Sequence, residues 1–143
     1  MKVTVRTPAG ELYTDHEVLS VTARSGLGVM QILPHHADFQ GSFVFSPVRL
    51  HAAHSEVRLV LHQGFILIDQ ANDTVLLLAQ KAEPIEALDY QTAQEYLASI
   101  QEALARHESL SAYHLQFLED ERHATEDRLA YIKRHQTTES PSV

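Results

Sequence analysis

Ten histidines are the side chains of this 143-residue sequence best suited to chemistry, and their spacing decides whether they can act together. A metal site needs imidazoles that converge on one point, with carboxylates or further histidines completing the shell. His51 and His54 stand three apart, His62 follows in the next apolar run, and His35 and His36 are adjacent. On an extended strand, neighbours point to opposite faces, so His35 and His36 could not chelate one ion together there. His51 and His54 flank a turn and could meet, with Glu56 as the nearest acid. A small metal-binding β-sandwich or barrel using His51, His54 and His62 is therefore one functional reading. The preferred reading is surface imidazoles on turns and strand edges, with no metal ligand assigned. Other chemistry fares no better. The sequence has no cysteine, which removes thiol nucleophiles, zinc–thiolate sites and disulfides. Serine, histidine and aspartate are all present, but no Gly-x-Ser-x-Gly elbow presents a nucleophile. Ser25-Gly26-Leu27-Gly28 lacks the lysine or third glycine of a phosphate-binding loop and opens no helix. We therefore expect no catalytic residues, no bound cofactor and no enzyme activity.

The elements that would position these residues fall into two halves of different period. From Lys2 to about Ala82 apolar residues alternate, as in strands with one buried face. Val3 and Val5 precede the turn residues Pro8-Ala9-Gly10, and Val18, Leu19 and Val21 run up to the 25–28 turn. Residues 29–33 form a short run ended by Pro34. Residues 48–51 and 57–61 flank a hairpin turn, Gly64 separates the latter from 65–68, and Asn72-Asp73 turns into 74–78. Short strands with frequent turns predict an antiparallel β-sandwich over residues 1–84. From Asp89 the period changes. Ala93, Leu97, Ile100 and Leu104 share a helix face, with Asp89 at the N-cap position. Ser109 is the candidate cap of a second helix, in which Leu110, Phe117, Ala124 and Tyr131 recur every seven residues. Two helices joined this closely form an antiparallel hairpin, expected over residues 85–136, with a disordered tail at 137–143. Residues 119–123 carry no apolar side chain, which predicts a loosely held second helix. The expected fold class is thus α+β.

Composition limits the partners. Formal net charge is −8, which argues against a nucleic-acid face, because neutralising phosphates takes clustered lysine and arginine. The longest strongly apolar stretches are strand-sized, far short of a bilayer span, so no direct membrane insertion is expected. The N-terminal residues alternate apolar with polar and contain no signal-peptide core.

Several short motifs, in order, resemble the epsilon subunits of F-type ATP synthases. Ile32-Leu33-Pro34-His35-His36-Ala37 is similar to the family's Ile-Leu-Pro-Gly-His-Ala, with His35 in place of the usual glycine. Gln63-Gly64-Phe65-Ile66 resembles its Gly-Gly-Ile/Phe strand start, residues 72–79 its Asn-x-Val-x-Val-Leu-Ala run, and Leu88-Asp89 with Ala93 its first-helix start. The likeness extends over about residues 2–135. It implies a non-catalytic rotor-stalk subunit whose sandwich binds the gamma subunit and rests on the membrane c-ring. Its hairpin can reach the alpha and beta catalytic subunits. The resemblance places the chain on the cytoplasmic face of a bacterial membrane, held through the complex. Candidate contacts to gamma or the c-ring are Val29, Met30, Pro34, His36, Asp38 and Phe39.

Departures from the pattern carry their own expectations. Thr92 replaces the arginine of the family's ATP-binding Asp-x-x-Arg-Ala motif, so no ATP binding is expected. Phe45-Ser46 stands where a Pro-Gly is usual. Asp38-Phe39 replaces Pro-Leu, a form that resembles the N-type, alternative sodium-translocating branch. Between residues 110 and 136, Arg122, Arg128, Lys133 and Arg134 face Glu119, Asp120, Glu121, Glu126 and Asp127, a balance of 4 − 5 = −1. Such a helix gains little from an acidic partner, so weak inhibition of hydrolysis is expected.

Overall fold

The computed structural model describes residues 1–106 and 111–139. The chain divides into two units, Met1–Glu83 and Pro84–Val143.

The first unit contains seven strands: β1 (Lys2–Thr7), β2 (Gly10–Asp15), β3 (Val18–Ser25), β4 (Gly28–Ile32), β5 (Phe39–Ala52), β6 (Glu56–Asp69) and β7 (Thr74–Glu83). They form one sheet in the order β2-β1-β7-β6-β5-β3-β4. Every pair is antiparallel except β1 with β7, which run parallel with Val3 opposite Val75 and Val5 opposite Leu77. Residues from both ends of this order meet in a single core. Val3, Val5, Val75 and Leu77 come from one end, and Val21, Ala23, Ile32 and Leu50 from the other. A continuous sheet can bury both ends in one core only by folding over on itself, which makes the expected sandwich.

The fold-over is visible in the burial pattern. Along β6 the buried residues that join this core are Leu61 and then Ile66 and Ile68, so the inward phase slips by one residue between them; Val60, also buried, lies outside that cluster. β5 slips likewise between Phe43 and Val48. The pairing loses one rung at the same level, between Phe43↔Gly64 and Phe45↔His62 and between His62↔Lys81 and Gly64↔Ala79. Gln63 sits there with φ 46. Next to it, a Cβ on Gly64 would lie 1.8 Å from the Leu78 carbonyl oxygen, so only glycine lets β6 pass β7 this closely. The runs 57–61 and 65–68, expected as two strands separated by Gly64, are therefore one strand with a crease. The turns expected at 8–10, 25–28 and 72–73 are present, and the hairpin turn expected at 51–56 is confined to residues 53–55.

In the second unit a short 3₁₀ turn (Ile85–Ala87) leads to α1 (Tyr90–Arg106) and α2 (Ala112–Glu139). Asp89 caps α1, its carboxylate accepting the Thr92 amide at 2.7 Å. Ser111 caps α2 through the His114 amide at 3.2 Å. The expected cap Ser109, and Leu110, lie outside the described residues. The helices are antiparallel: Tyr96 reaches Glu121, while Arg128, farther along α2, donates to the Leu88 carbonyl before α1. The inner face of α2 runs through Phe117, Leu118, Glu121 and Thr125, whereas Tyr131 is exposed. The polar stretch 119–123 is therefore no gap. Glu121 is 2% exposed and accepts a hydrogen bond from the buried Tyr96 hydroxyl. Helix α2 also continues to Glu139, past the expected end at 136, and the rest of the expected tail, 140–143, lies outside the described residues.

Candidate functional site

Residues 33–38 connect β4 to β5 and cross the sheet unit beside the β6–β7 turn. The first turn closes where the His36 amide donates to the Leu33 carbonyl at 3.1 Å. His35 then adopts φ 64, a left-handed conformation that costs a side-chain-bearing residue energy. Both of its backbone polar groups are paired with the neighbouring turn. Its N–H donates to Asp73 Oδ1 at 2.7 Å and its carbonyl accepts from Gln70 Nε2 at 3.1 Å. Asp38 Oδ1 accepts the Gln70 amide at 2.8 Å. The turn that receives these bonds is itself braced, with Asn72 Nδ2 donating to Asp69 Oδ2 at 2.7 Å.

The charges follow from these bonds. The His35 amide holds the Asp73 carboxyl below its ordinary value, with a smaller contribution from the His35 ring 3.9 Å away. Asn72, through side chain and backbone, does the same for Asp69.

This connection holds three of the six candidate contacts, and a fourth follows it directly. Pro34 and Asp38 are exposed, His36 is half-buried with Nδ1 2.7 Å from the Ala37 carbonyl, and Phe39 opens β5 packed against the core. Val29 and Met30 lie upstream on β4, opposite Arg24 and Ala23, and Met30 packs against the core. Sequence reasoning passed over Leu33, which stands 51% exposed at the start of the connection, and over Asp73 and Gln70. Leu33 could have been found as an apolar residue beside a proline-marked turn. Asp73 and Gln70 act across more than thirty residues, and no local pattern reveals that.

The histidines are dispersed. His51 lies opposite Glu56 and His62 opposite Phe45. Six residues of β6 separate those rungs, about 20 Å, so His51, His54 and His62 cannot share an ion. His62 instead meets Glu83 at 3.1 Å and the Phe45 ring edge-on. His35 and His36 lie in a turn rather than on a strand, and their rings engage Asp73 and the Ala37 carbonyl separately. Among the described residues no group of three or more metal-ligating side chains converges.

The sheet and its braced connection coincide with a known domain: the profile of the ATP synthase delta/epsilon-chain β-sandwich domain matches residues 1–85. The chain belongs to the ATP synthase delta/epsilon-chain family. Curated relatives agree. The chain is 30% identical to the ATP synthase epsilon chain of Geotalea daltonii, over 74% of this chain and 75% of that one. It is 32% identical to the chloroplastic epsilon chain of Cyanidioschyzon merolae, over 73% and 77%. Among solved structures, similarity extends to a chain of the Euglena gracilis mitochondrial ATP synthase, at TM-score 0.56 and 16% identity, covering 91% of this chain and 79% of that one. A chain of the Tetrahymena thermophila central stalk and c-ring assembly matches at TM-score 0.54 and 12% identity, covering 92% and 94%. These two show that the fold, strands followed by helices, is shared. No described helix is long and apolar enough to cross a membrane.

Proposed function

We propose that this epsilon-family chain is a non-catalytic subunit of the central stalk of an F-type ATP synthase, coupling the gamma subunit to the c-ring. The observation that carries the reading is the family match over the complete seven-stranded unit, 1–85. The dispersal of the histidines supports it, because the competing metal-site reading needs them together. Within this role the 33–38 connection is the surface that meets the ring. It is exposed, it presents Leu33, Pro34 and Asp38, and it is held in one shape by bonds to the 70–73 turn. A preformed surface loses less entropy on docking than a mobile loop does. Attachment is peripheral, through partners, on the cytoplasmic face of a bacterial membrane. The test is reconstitution. Membranes stripped of this chain should regain ATP-driven ion pumping when it is added back, and the tagged chain should recover gamma and c subunits. Recovery of neither subunit overturns the proposal.

A further inference from the structure

His35, which the motif resemblance sets against a glycine, has a backbone conformation that favours glycine. The position is left-handed, at φ 64, where glycine is unstrained and histidine is not. Left to itself, a histidine here would relax to negative φ, turning the peptide planes on either side and redirecting residues 33–36. Something must hold it. The His35 N–H is bound to Asp73 and its carbonyl to Gln70, so the strained residue is gripped at both polar groups by one turn. Asp38 grips the same turn at the other end of the connection through the Gln70 amide.

We infer that Asp73 is a positioning residue, holding His35 in the left-handed shape that presents residues 33–38 for docking. The inference rests on the reading that this connection meets the c-ring. Asp73 makes no claim to touch the partner. It is itself left-handed, at φ 49, so replacing it with alanine would add strain of its own. Glycine removes the carboxylate without that penalty, and asparagine keeps an acceptor oxygen for the His35 amide.

These properties define the experiment. The full chain is prepared as wild type, Asp73→Gly, Asp73→Asn, His35→Gly, His35→Gly with Asp73→Gly, and Leu33→Asp. Three quantities are measured: hydrogen exchange of the residue 35 amide, affinity for isolated c-ring, and affinity for isolated gamma. Asp73→Gly should speed exchange at residue 35 about tenfold and weaken c-ring binding about fivefold, the scale of one hydrogen bond to a carboxylate. Asp73→Asn should restore most of both. In the His35→Gly background, Asp73→Gly should cost at most about twofold in c-ring affinity, because the residue no longer needs holding. Gamma binding should be unchanged throughout. Equal losses with and without His35→Gly, or parallel losses for gamma and ring, overturn the inference and make Asp73 a general structural residue. If Leu33→Asp leaves ring affinity intact, the docking surface itself is misplaced, and both readings fall. If Leu33→Asp weakens binding while Asp73→Gly does not, only the positioning role falls.

Discussion

Gly64 has the least freedom to change of any residue described above. An added methyl would overlap a main-chain carbonyl, which has no rotamer to escape into, so β6 and β7 must separate locally. Gly64→Ala should destabilise the sheet unit by about 3 kcal/mol, the upper range for overpacking, and lower its Tm by roughly 12–24 °C. A thermal melt within two or three degrees of wild type would show that the strands can part cheaply. The Asp69 and Asp73 carboxylates set a second expectation. Both are held below the ordinary carboxylate range by hydrogen bonds, so folding favours their charged forms. The stability they add is fully present above about pH 3.9, the unfolded value, and fades as pH falls through the lower folded values. The amide resonance of His35 should therefore hold its folded shift at pH 4 and move only in stronger acid. A midpoint at or above the ordinary aspartate value would contradict the bond. At this scale the sequence exposed the oddity of a histidine in a glycine position. It could not name Asp73, 38 residues away, whose pairing exists only once β4, β6 and β7 are assembled.

Single elements were legible where burial kept one phase, and misread where it slipped. Residues 74–78 alternate between half-buried and buried without interruption, and the short apolar run 29–33 overlaps β4 but for its last residue. β5 and β6 change their inward phase part-way, so a period-two reading cuts β6 at Gly64 and finds only the second half of β5. The β2 strand, an exposed edge with little apolar signal, gave no pattern to find. The helices show a related error. In the sequence, polarity at 119–123 reads as weakness, yet Glu121 is enclosed and bonded to Tyr96, a residue whose hydroxyl can satisfy a polar group inside an apolar face. Thr125 is buried one turn farther on, its hydroxyl returned to the Glu121 carbonyl at 2.7 Å. This pair acts as a register mark for the hairpin, because sliding α2 by one turn would leave a buried carboxylate without the hydroxyl. Tyr96→Phe keeps the ring and removes that bond, and should cost the hairpin about 1–2 kcal/mol. Faster hydrogen exchange across α1 and α2, with the strands unaffected, is the expected readout. Unchanged protection would mean that the helices are held by apolar contact alone.

For the whole molecule, the division after Glu83 makes a direct statement about truncation. All seven strands and the shared core precede it, so a chain ending at Glu86 should fold and retain gamma binding. Circular dichroism should show a cooperative melt of β type, and an aggregated or unfolded fragment would refute it. The crease bears on a further property. Sandwiches built from two separate sheets meet only through side chains, which can slide. In this chain β5 and β6 run unbroken through the fold-over, 14 residues each, and stay paired on both sides of it. A load applied to one layer passes to the other along covalent backbone, with the ladder hydrogen bonds sharing it in shear. In the proposed position between gamma and the c-ring, that continuity would give stiffness under twist, with no seam between the layers.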